Sequence, residues 1–299
     1  MVSILIPTYN AASWIGPLLT ALGRQRLSNF EIIVVDSSSS DNTLSIAGSY
    51  GVRTRVIAKH EFDHGGTRTF MGTLAKGDVL VYLTQDAFPA QDTSLETLVS
   101  RMFTDERAGA AFGRQIPHKN ANPFARHLRE FNYPAQSHVR TFQDRERYGL
   151  KTAFCSNSFA AYRRKALENI GWFKTGLLMG EDMYACAKML KLGYHIAYVA
   201  EAAVYHSHNY SLRQEFKRYF DMGAFLKKEQ WILEEFGRLE GEGLRFTRSE
   251  LRFILQNGLP HYVPMSLLRM AAKGAGFRLG QLYPHLPRSI IRRVSMHSK

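Results

Sequence analysis

Cysteine is scarce in this sequence: Cys155 and Cys186 are the only two in 299 residues. They are too few for a disulfide framework and too far apart for a metal-binding CxxC, so buried thiols in a reducing compartment are expected. No apolar run approaches the roughly eighteen residues that a membrane-spanning helix needs. The opening Met1-Val-Ser-Ile-Leu-Ile-Pro-Thr-Tyr-Asn10 has no basic region, long apolar segment or small-residue cleavage site, so no secretory signal is expected and a cytoplasmic location is. Neither GxGxxG nor GxxxxGK[ST] follows any strand, which argues against a dinucleotide fold and a P-loop. Acidic residues are missing from Leu251 to Lys299, where eight Lys or Arg stand alone, whereas Ser211 to Glu250 balances eight against eight. A basic tail of this kind is an electrostatic footprint for nucleic acid, anionic lipid or acidic polymer, and it does not choose among them.

With 45% hydrophobic and 22% charged residues, the chain can bury a substantial core, and its length fits one large domain plus an extension. Apolar strands alternate with amphipathic segments: Val2 to Pro7, Trp14 to Leu22, Phe30 to Val35, Asn42 to Tyr50, Val52 to Ala58, then Asp78 to Thr84. This βαβα rhythm predicts parallel strands buried on both faces and joined by right-handed crossovers. Asp41 reads as a helix N-cap, and Gly65-Gly66 as the turn into the next helix. From His118 to Lys151 the pattern breaks down, and a loop-rich insertion shaping a second pocket is expected. Helices follow at Arg164 to Asn169 and Glu181 to Leu192, with strands at Ser158 to Tyr162 and around Tyr194 to Val199. Beyond Ser211 the chain reads helical. There Leu267, Leu268, Ala271, Ala275 and Leu282 form a loose apolar face, with Arg269, Lys273 and Arg278 elsewhere, as in an amphipathic surface helix.

Residues able to carry chemistry collect at the strand ends. Open α/β sheets bind ligands in the crevice beyond those ends. Asp36 closes one strand and begins Asp36-Ser-Ser-Ser-Ser-Asp41, able either to meet a ribose or pyrimidine edge or merely to cap a helix. Asp86, in the turn closed by Pro89, is a candidate for a divalent ion or a structural turn residue. His60-Glu-Phe-Asp-His-Gly-Gly-Thr-Arg68 gathers His, Gly and Arg before a helix, whose N-terminus favours an anion, and Arg68 can fork onto a phosphate. Glu181 and Asp182 open a helix, where carboxylates either complement its dipole or supply a general base. His206 in Val204-Tyr-His206-Ser-His208 can complete a coordination begun by Asp86.

Taken in order, Ile4-Leu-Ile-Pro-Thr-Tyr-Asn10, Val34-Val-Asp36-Ser, Leu83-Thr-Gln-Asp86, Gly180-Glu-Asp182 and His206 resemble the inverting family-two glycosyltransferases of GT-A fold, over residues 1–225. His64-Gly-Gly-Thr-Arg68 together with Leu83-Thr-Gln-Asp-Ala-Phe-Pro89 looks like the rhamnosyltransferases that build bacterial surface polysaccharides from dTDP-L-rhamnose. The resemblance implies an α/β nucleotide-diphospho-sugar transferase fold, a Rossmann-like mixed sheet flanked by helices, with a C-terminal helical extension. It divides the chain into a GT-A domain at 1–210, with a donor half at 1–117 and an acceptor half at 118–210, and a basic helical extension at 211–299.

By the same resemblance, Thr8, Tyr9, Asp36, Arg68 and Gln85 bind the donor, and Asp86 and His206, with His208 the second choice, hold Mg²⁺ or Mn²⁺ on the diphosphate. Asp182 is the catalytic base, and Glu181 and Asn157 position the acceptor or the base. Implied partners are a nucleotide sugar, dTDP-L-rhamnose first and a UDP-sugar as alternative, and a saccharide or lipid-linked acceptor. The tail implies docking on the inner face of the cell membrane or plain helical packing. Two departures matter: Thr84-Gln-Asp86 replaces the family's Asp-x-Asp, which weakens the expectation of metal dependence, and Gln214-Glu-Phe-Lys-Arg218-Tyr219 replaces the Gln-x-x-Arg-Trp of processive relatives, which favours single transfer. The competing class is a non-catalytic basic protein binding nucleic acid or an anionic polymer, ranked below because a basic tail predicts none of the strand-end motifs.

Overall fold

A computed structural model describes residues 1–237 and 241–298. Among them are strands β1 (Val2–Thr8), β2 (Phe30–Asp36), β3 (Arg53–Val56), β4 (Val79–Leu83), β5 (Phe88–Pro89), β6 (Ala108–Ile116), β7 (His138–Arg140), β8 (Phe159–Arg163) and β9 (His195–Tyr205). The helices are α1 (Ala12–Gly23), α2 (Thr43–Ser49), α3 (His64–Leu74), α4 (Ser94–Thr104), α5 (Pro123–Asn132), α6 (Arg145–Tyr148) and α7 (Arg164–Asn169). Then come α8 (Glu181–Lys191), α9 (Leu212–Lys228), α10 (Gln230–Phe236), α11 (Glu242–Gln256), α12 (Val263–Gln281) and α13 (Arg288–Val294).

The strands form one mixed sheet in the order β3-β2-β1-β4-β8-β6-β9-β5, with β7 also on β9. β1 to β4 pair in parallel; β1, β2 and β4 carry the continuous apolar runs of strands covered on both faces, whereas edge strand β3, Arg53-Thr-Arg-Val56, is only partly covered. Ile4, Ile6, Val34 and Val81 pack with α1 and α4 on one face, while Leu5, Ile33, Val35 and Tyr82 pack with α3 and α8 on the other. Antiparallel β8 lies between β4 and β6, and this places the loop before β8 beside the loop after β4. Phe225, Leu226, Ile232 and Phe236 of α9 and α10 share the second face's core, so the helical extension is fused to the sheet.

Four local expectations change. Asp41 is not the N-cap of α2, which begins after Asn42; instead its carboxylate accepts from Thr43 N at 3.1 Å and Ala12 N at 3.0 Å, fastening α1 to α2. Gly65 and Gly66 lie inside α3, capped by Asp63, and a Cβ at Gly65 would stand 1.9 Å from the Lys174 carbonyl oxygen, so this glycine permits close packing. Residues 118–151 are not mainly loop: Asn122 caps α5 through Ala125 N, Pro123 occupies its first turn, and β7 joins the sheet.

The fourth change is the largest. α12 is inside out: Arg269, Lys273, Gly276 and Gly280 are buried, whereas Leu267, Leu268 and Leu282 are all more than half exposed. Cβ atoms at Gly223, Gly276 and Gly280 would each stand within 2.3 Å of a carbonyl oxygen of the facing helix, so α9 and α12 meet backbone to backbone. Glu215 neutralises the inward cations, with Arg269 at 2.6 Å and Lys273 at 3.6 Å.

Candidate active site

Two carboxylate centres are knit together by the segment Cys155-Ser-Asn-Ser158. Thr84 N donates to Ser158 O at 3.2 Å, Asn157 N to Asp182 at 3.2 Å, and Gln115 Nε2 to Ser156 Oγ at 2.9 Å. The turn carrying Asp86, the helix carrying Asp182 and the support of His206 therefore hang on four consecutive residues.

Asp86 follows β4, and His206 and His208 follow β9. Their Nε2 atoms lie 3.5 and 3.6 Å from its two carboxylate oxygens, and one ligand atom from each of the three residues falls within 4.8 Å of the others. Residues i and i+2 of an extended chain share a side, a signal in His206-Ser-His208 that makes the second histidine an equal partner. Gln115 Oε1 accepts from His206 Nδ1 at 2.8 Å, which leaves the Nε2 lone pair toward Asp86, as a metal ligand requires. Register pairing of β6 with β9 sets Gln115 opposite Val204, so this support was invisible in linear sequence. Burial draws the Asp86 carboxyl upward, but His206 and His208 outweigh it and hold it well below the usual carboxylate range. Burial lowers His206 against the pull of Asp86, and burial with the nearby His206 charge pushes His208 down to about 4. One carboxylate and two neutral imidazoles suit a divalent ion, and Mn²⁺ better than the oxygen-seeking Mg²⁺. A hollow of about 250 Å³ opens beside them, lined by Trp14, Asp86, His118, His208, Tyr210 and Gln214 among others. A larger hollow of about 770 Å³ on α11, lined by Arg245, Arg248 and Arg252, holds none of these residues.

The second centre opens α8. Gly180 precedes it at φ +86°, where a Cβ would press to 2.8 Å on Phe225, so only glycine allows this entry. Buried Arg68 pairs with Glu181 at 3.2 Å, and Asn157 Nδ2 donates to the same oxygen at 3.0 Å. Burial raises Glu181, but Arg68, His64 and Asn157 bring it below its ordinary value. Among the described residues no cation pairs directly with Asp182: burial, then the charge of Glu181, push it up to about 7, although its carboxylate accepts from Met183 N and Asn157 N. Adjacent carboxylates are thus driven apart. Arg68 donates to His64 O at 3.0 Å and pairs with Glu181, and its Nε is buried without a hydrogen-bond partner among the described residues.

At the parallel end of the sheet, Thr8 Oγ1 donates to fully buried Asp36 at 2.8 Å, and Ser39 supplies two more hydrogen bonds to that carboxylate. Tyr9 N donates to Gln85 Oε1 at 2.9 Å, and Lys59 meets the Tyr9 hydroxyl at 2.6 Å. The structure therefore groups Thr8 with Asp36, Tyr9 with Gln85, Arg68 with Glu181, Asn157 and Asp182, and Asp86 with His206. His60 lies exposed, apart from these groups.

A parallel half-sheet continued by antiparallel strands, flanked by helices and with a carboxylate and imidazoles at its ends, has the architecture of the GT-A fold. Two solved structures share this fold: a mannosyltransferase from Pyrobaculum calidifontis in complex with GDP-Man and Mn²⁺ (TM-score 0.65, 17% identity, 95% of this chain and 88% of that one), and Staphylococcus aureus TarS in complex with UDP-GlcNAc (TM-score 0.56, 17% identity, 95% and 91%). The glycosyl transferase family 2 model matches residues 3–171, and the chain belongs to that family of enzymes. It is 44% identical to the O-antigen chain rhamnosyltransferase WbaN of Salmonella anatum, over 99% of this chain and 94% of that protein. It is 43% identical, with the same coverage, to the rhamnosyltransferase RfbN of Salmonella typhimurium.

Proposed function

We propose that the protein is an inverting rhamnosyltransferase of surface polysaccharide synthesis, moving L-rhamnose from dTDP-L-rhamnose to a hydroxyl of a saccharide or lipid-linked saccharide. The observation that carries the chemistry is the split carboxylate pair: Glu181 kept ionised by Arg68, and Asp182 raised to about 7, where a general base works best. Full-length similarity to two rhamnosyltransferases supports the sugar. Asp182 takes the proton of the attacking hydroxyl, which displaces the nucleoside diphosphate from the opposite face of the anomeric carbon with no covalent enzyme intermediate. Asn157 and Glu181 hold that base in place. Thr8, Tyr9, Asp36 and Gln85 form the nucleoside side, and Arg68, with its unpaired Nε, the diphosphate side. Asp86, His206 and His208 would hold Mn²⁺ or Mg²⁺, which when bound neutralises charge on the leaving diphosphate. Residues 1–117 then serve the donor and 118–210 the acceptor. A donor screen reading release of dTDP against UDP tests the sugar assignment; turnover of UDP-sugars alone would sink it.

The inverted α12 supports the membrane reading of the tail. Leu267, Leu268 and Leu282 face outward beside exposed Arg278 and Arg288, no Asp or Glu occurs after Glu250, and no helix among the described residues is long and apolar enough to cross a membrane. An apolar and cationic surface without acids suits the anionic inner leaflet, where a lipid-linked acceptor resides. Flotation with anionic liposomes should fall several-fold in a Leu267→Glu, Leu268→Glu variant; equal partitioning would end this reading.

A further inference from the structure

The last described residues return to the catalytic side of the molecule. Lys217 Nζ donates to Ser295 O at 3.1 Å, and Ser295 Oγ accepts from His297 N at 3.1 Å and Ser298 N at 2.8 Å. Asp221 of α9, wholly buried, accepts from Met296 N at 2.9 Å and His297 N at 3.2 Å. This clamp delivers one imidazole: His297 meets His64 edge-on, with ring centres 4.7 Å apart and Nδ1 3.3 Å from His64 Nε2. His64 Nδ1 lies 3.4 Å from Arg68 NH1, which reaches Glu181 at 3.2 Å. A continuous row of polar groups thus runs from the C-terminal segment to the residue beside the catalytic base.

The direction of the row follows from which groups can donate. Guanidinium only donates, so His64 Nδ1 accepts; a neutral His64 then carries its hydrogen on Nε2 and gives it to His297 Nδ1. The hydrogen of a neutral His297 is left on Nε2. Burial first, and then the neighbouring His64 and Arg218, push His297 down to about 3, which keeps its ring neutral. Three links connect the row: Asp221 sets His297, His297 packs edge-on against His64 and takes its Nε2 hydrogen, and His64 lies against a guanidinium whose Nε has no hydrogen-bond partner among the described residues.

We propose that His297 is a positioning residue of the donor pocket, acting through His64 to aim Arg68 at the diphosphate of the nucleotide sugar. This rests on the reading of Arg68 as the diphosphate contact. The expected signature is on donor capture more than on the chemical step, because the base Asp182 is bonded to Asn157 and not to this row.

The test uses the full-length chain and whichever nucleotide sugar the wild type turns over fastest, so that donor identity and the role of His297 are read separately. His297→Ala should raise the donor KM about tenfold, with kcat within about threefold and Tm within about 2 °C of wild type. His297→Gln, whose amide oxygen can accept from His64 Nε2, should recover most of that loss. In an Arg68→Ala background His297→Ala should add less than about twofold, as for two residues acting in one row. An unchanged KM in His297→Ala overturns the proposal. So does a loss shared equally by KM, kcat and Tm in both His297 variants, which would make the segment a packing strap. Full additivity with Arg68→Ala overturns the route through Arg68, whereas an Arg68→Ala variant with normal KM sinks the diphosphate reading itself.

Discussion

Asp86 and Asp182 are the same side chain at two centres joined through four consecutive residues, yet their surroundings drive them in opposite directions. His206 and His208 hold Asp86 ionised against its burial; burial, and then the charge of a neighbouring carboxylate itself held by Arg68, lift Asp182 to about 7. The difference teaches a division of labour. On the proposed roles, the group that keeps its charge has imidazoles beside it, and the group proposed to move a proton stands beside a like charge with, among the described residues, no cation paired directly to it. Exchanging the environments would abolish both roles, although every residue type stayed the same.

The largest effect that sharpens this contrast is expected at Asp182. Asp182→Asn keeps the shape and removes the base, so kcat should fall by about 10³-fold, within the range of general-base contributions. Nucleotide binding by calorimetry should stay within about twofold. Normal turnover would end the assignment. At Asp86 the pattern should reverse: Asp86→Ala should weaken Mn²⁺-dependent nucleotide binding about 10- to 100-fold, with a smaller effect on binding measured without metal. Identical binding isotherms for Asp86→Ala and wild type in Mn²⁺ would remove it from the donor site. Should both substitutions act alike on binding and turnover, the division itself would fail.

How far this contrast was legible in sequence differs between its two halves. Asp86 and Asp182 stood out because each ends or begins a regular element, and β1, β2 and β4 were readable because strands buried on both faces are continuously apolar. Their supports were not readable. Gln115 reaches His206 through β6–β9 pairing, and His64 reaches His297 across 233 residues of chain, contacts that no local spacing encodes, whereas His64 and Arg68 stand four residues apart on α3. α5 hid behind Pro123, which starts a helix as readily as it breaks one, while Asn122 before it was the available signal. The α12 expectation inverted because the amphipathic rule assumes that the apolar stripe turns inward. Glycines at 223, 276 and 280 instead let two backbones touch, and Glu215 made burial of Arg269 and Lys273 tolerable.

The subtlest expected effect tests whether Glu181 creates the contrast or merely accompanies it. Asp182 must be ionised to act, so wild-type kcat should rise with pH through an apparent pKa near 7. Glu181→Gln removes the like charge that lifts Asp182 and leaves Arg68 uncompensated beside it. Both changes favour the ionised base, so the acid limb should move to lower pH and activity should begin in more acidic buffer. Weaker basicity should also lower the plateau by a few-fold. A limb that stays in place, with Tm unchanged, would show that burial alone sets the base, and Glu181 would then be a positioning partner of Asn157 and Arg68 with no part in tuning the proton transfer.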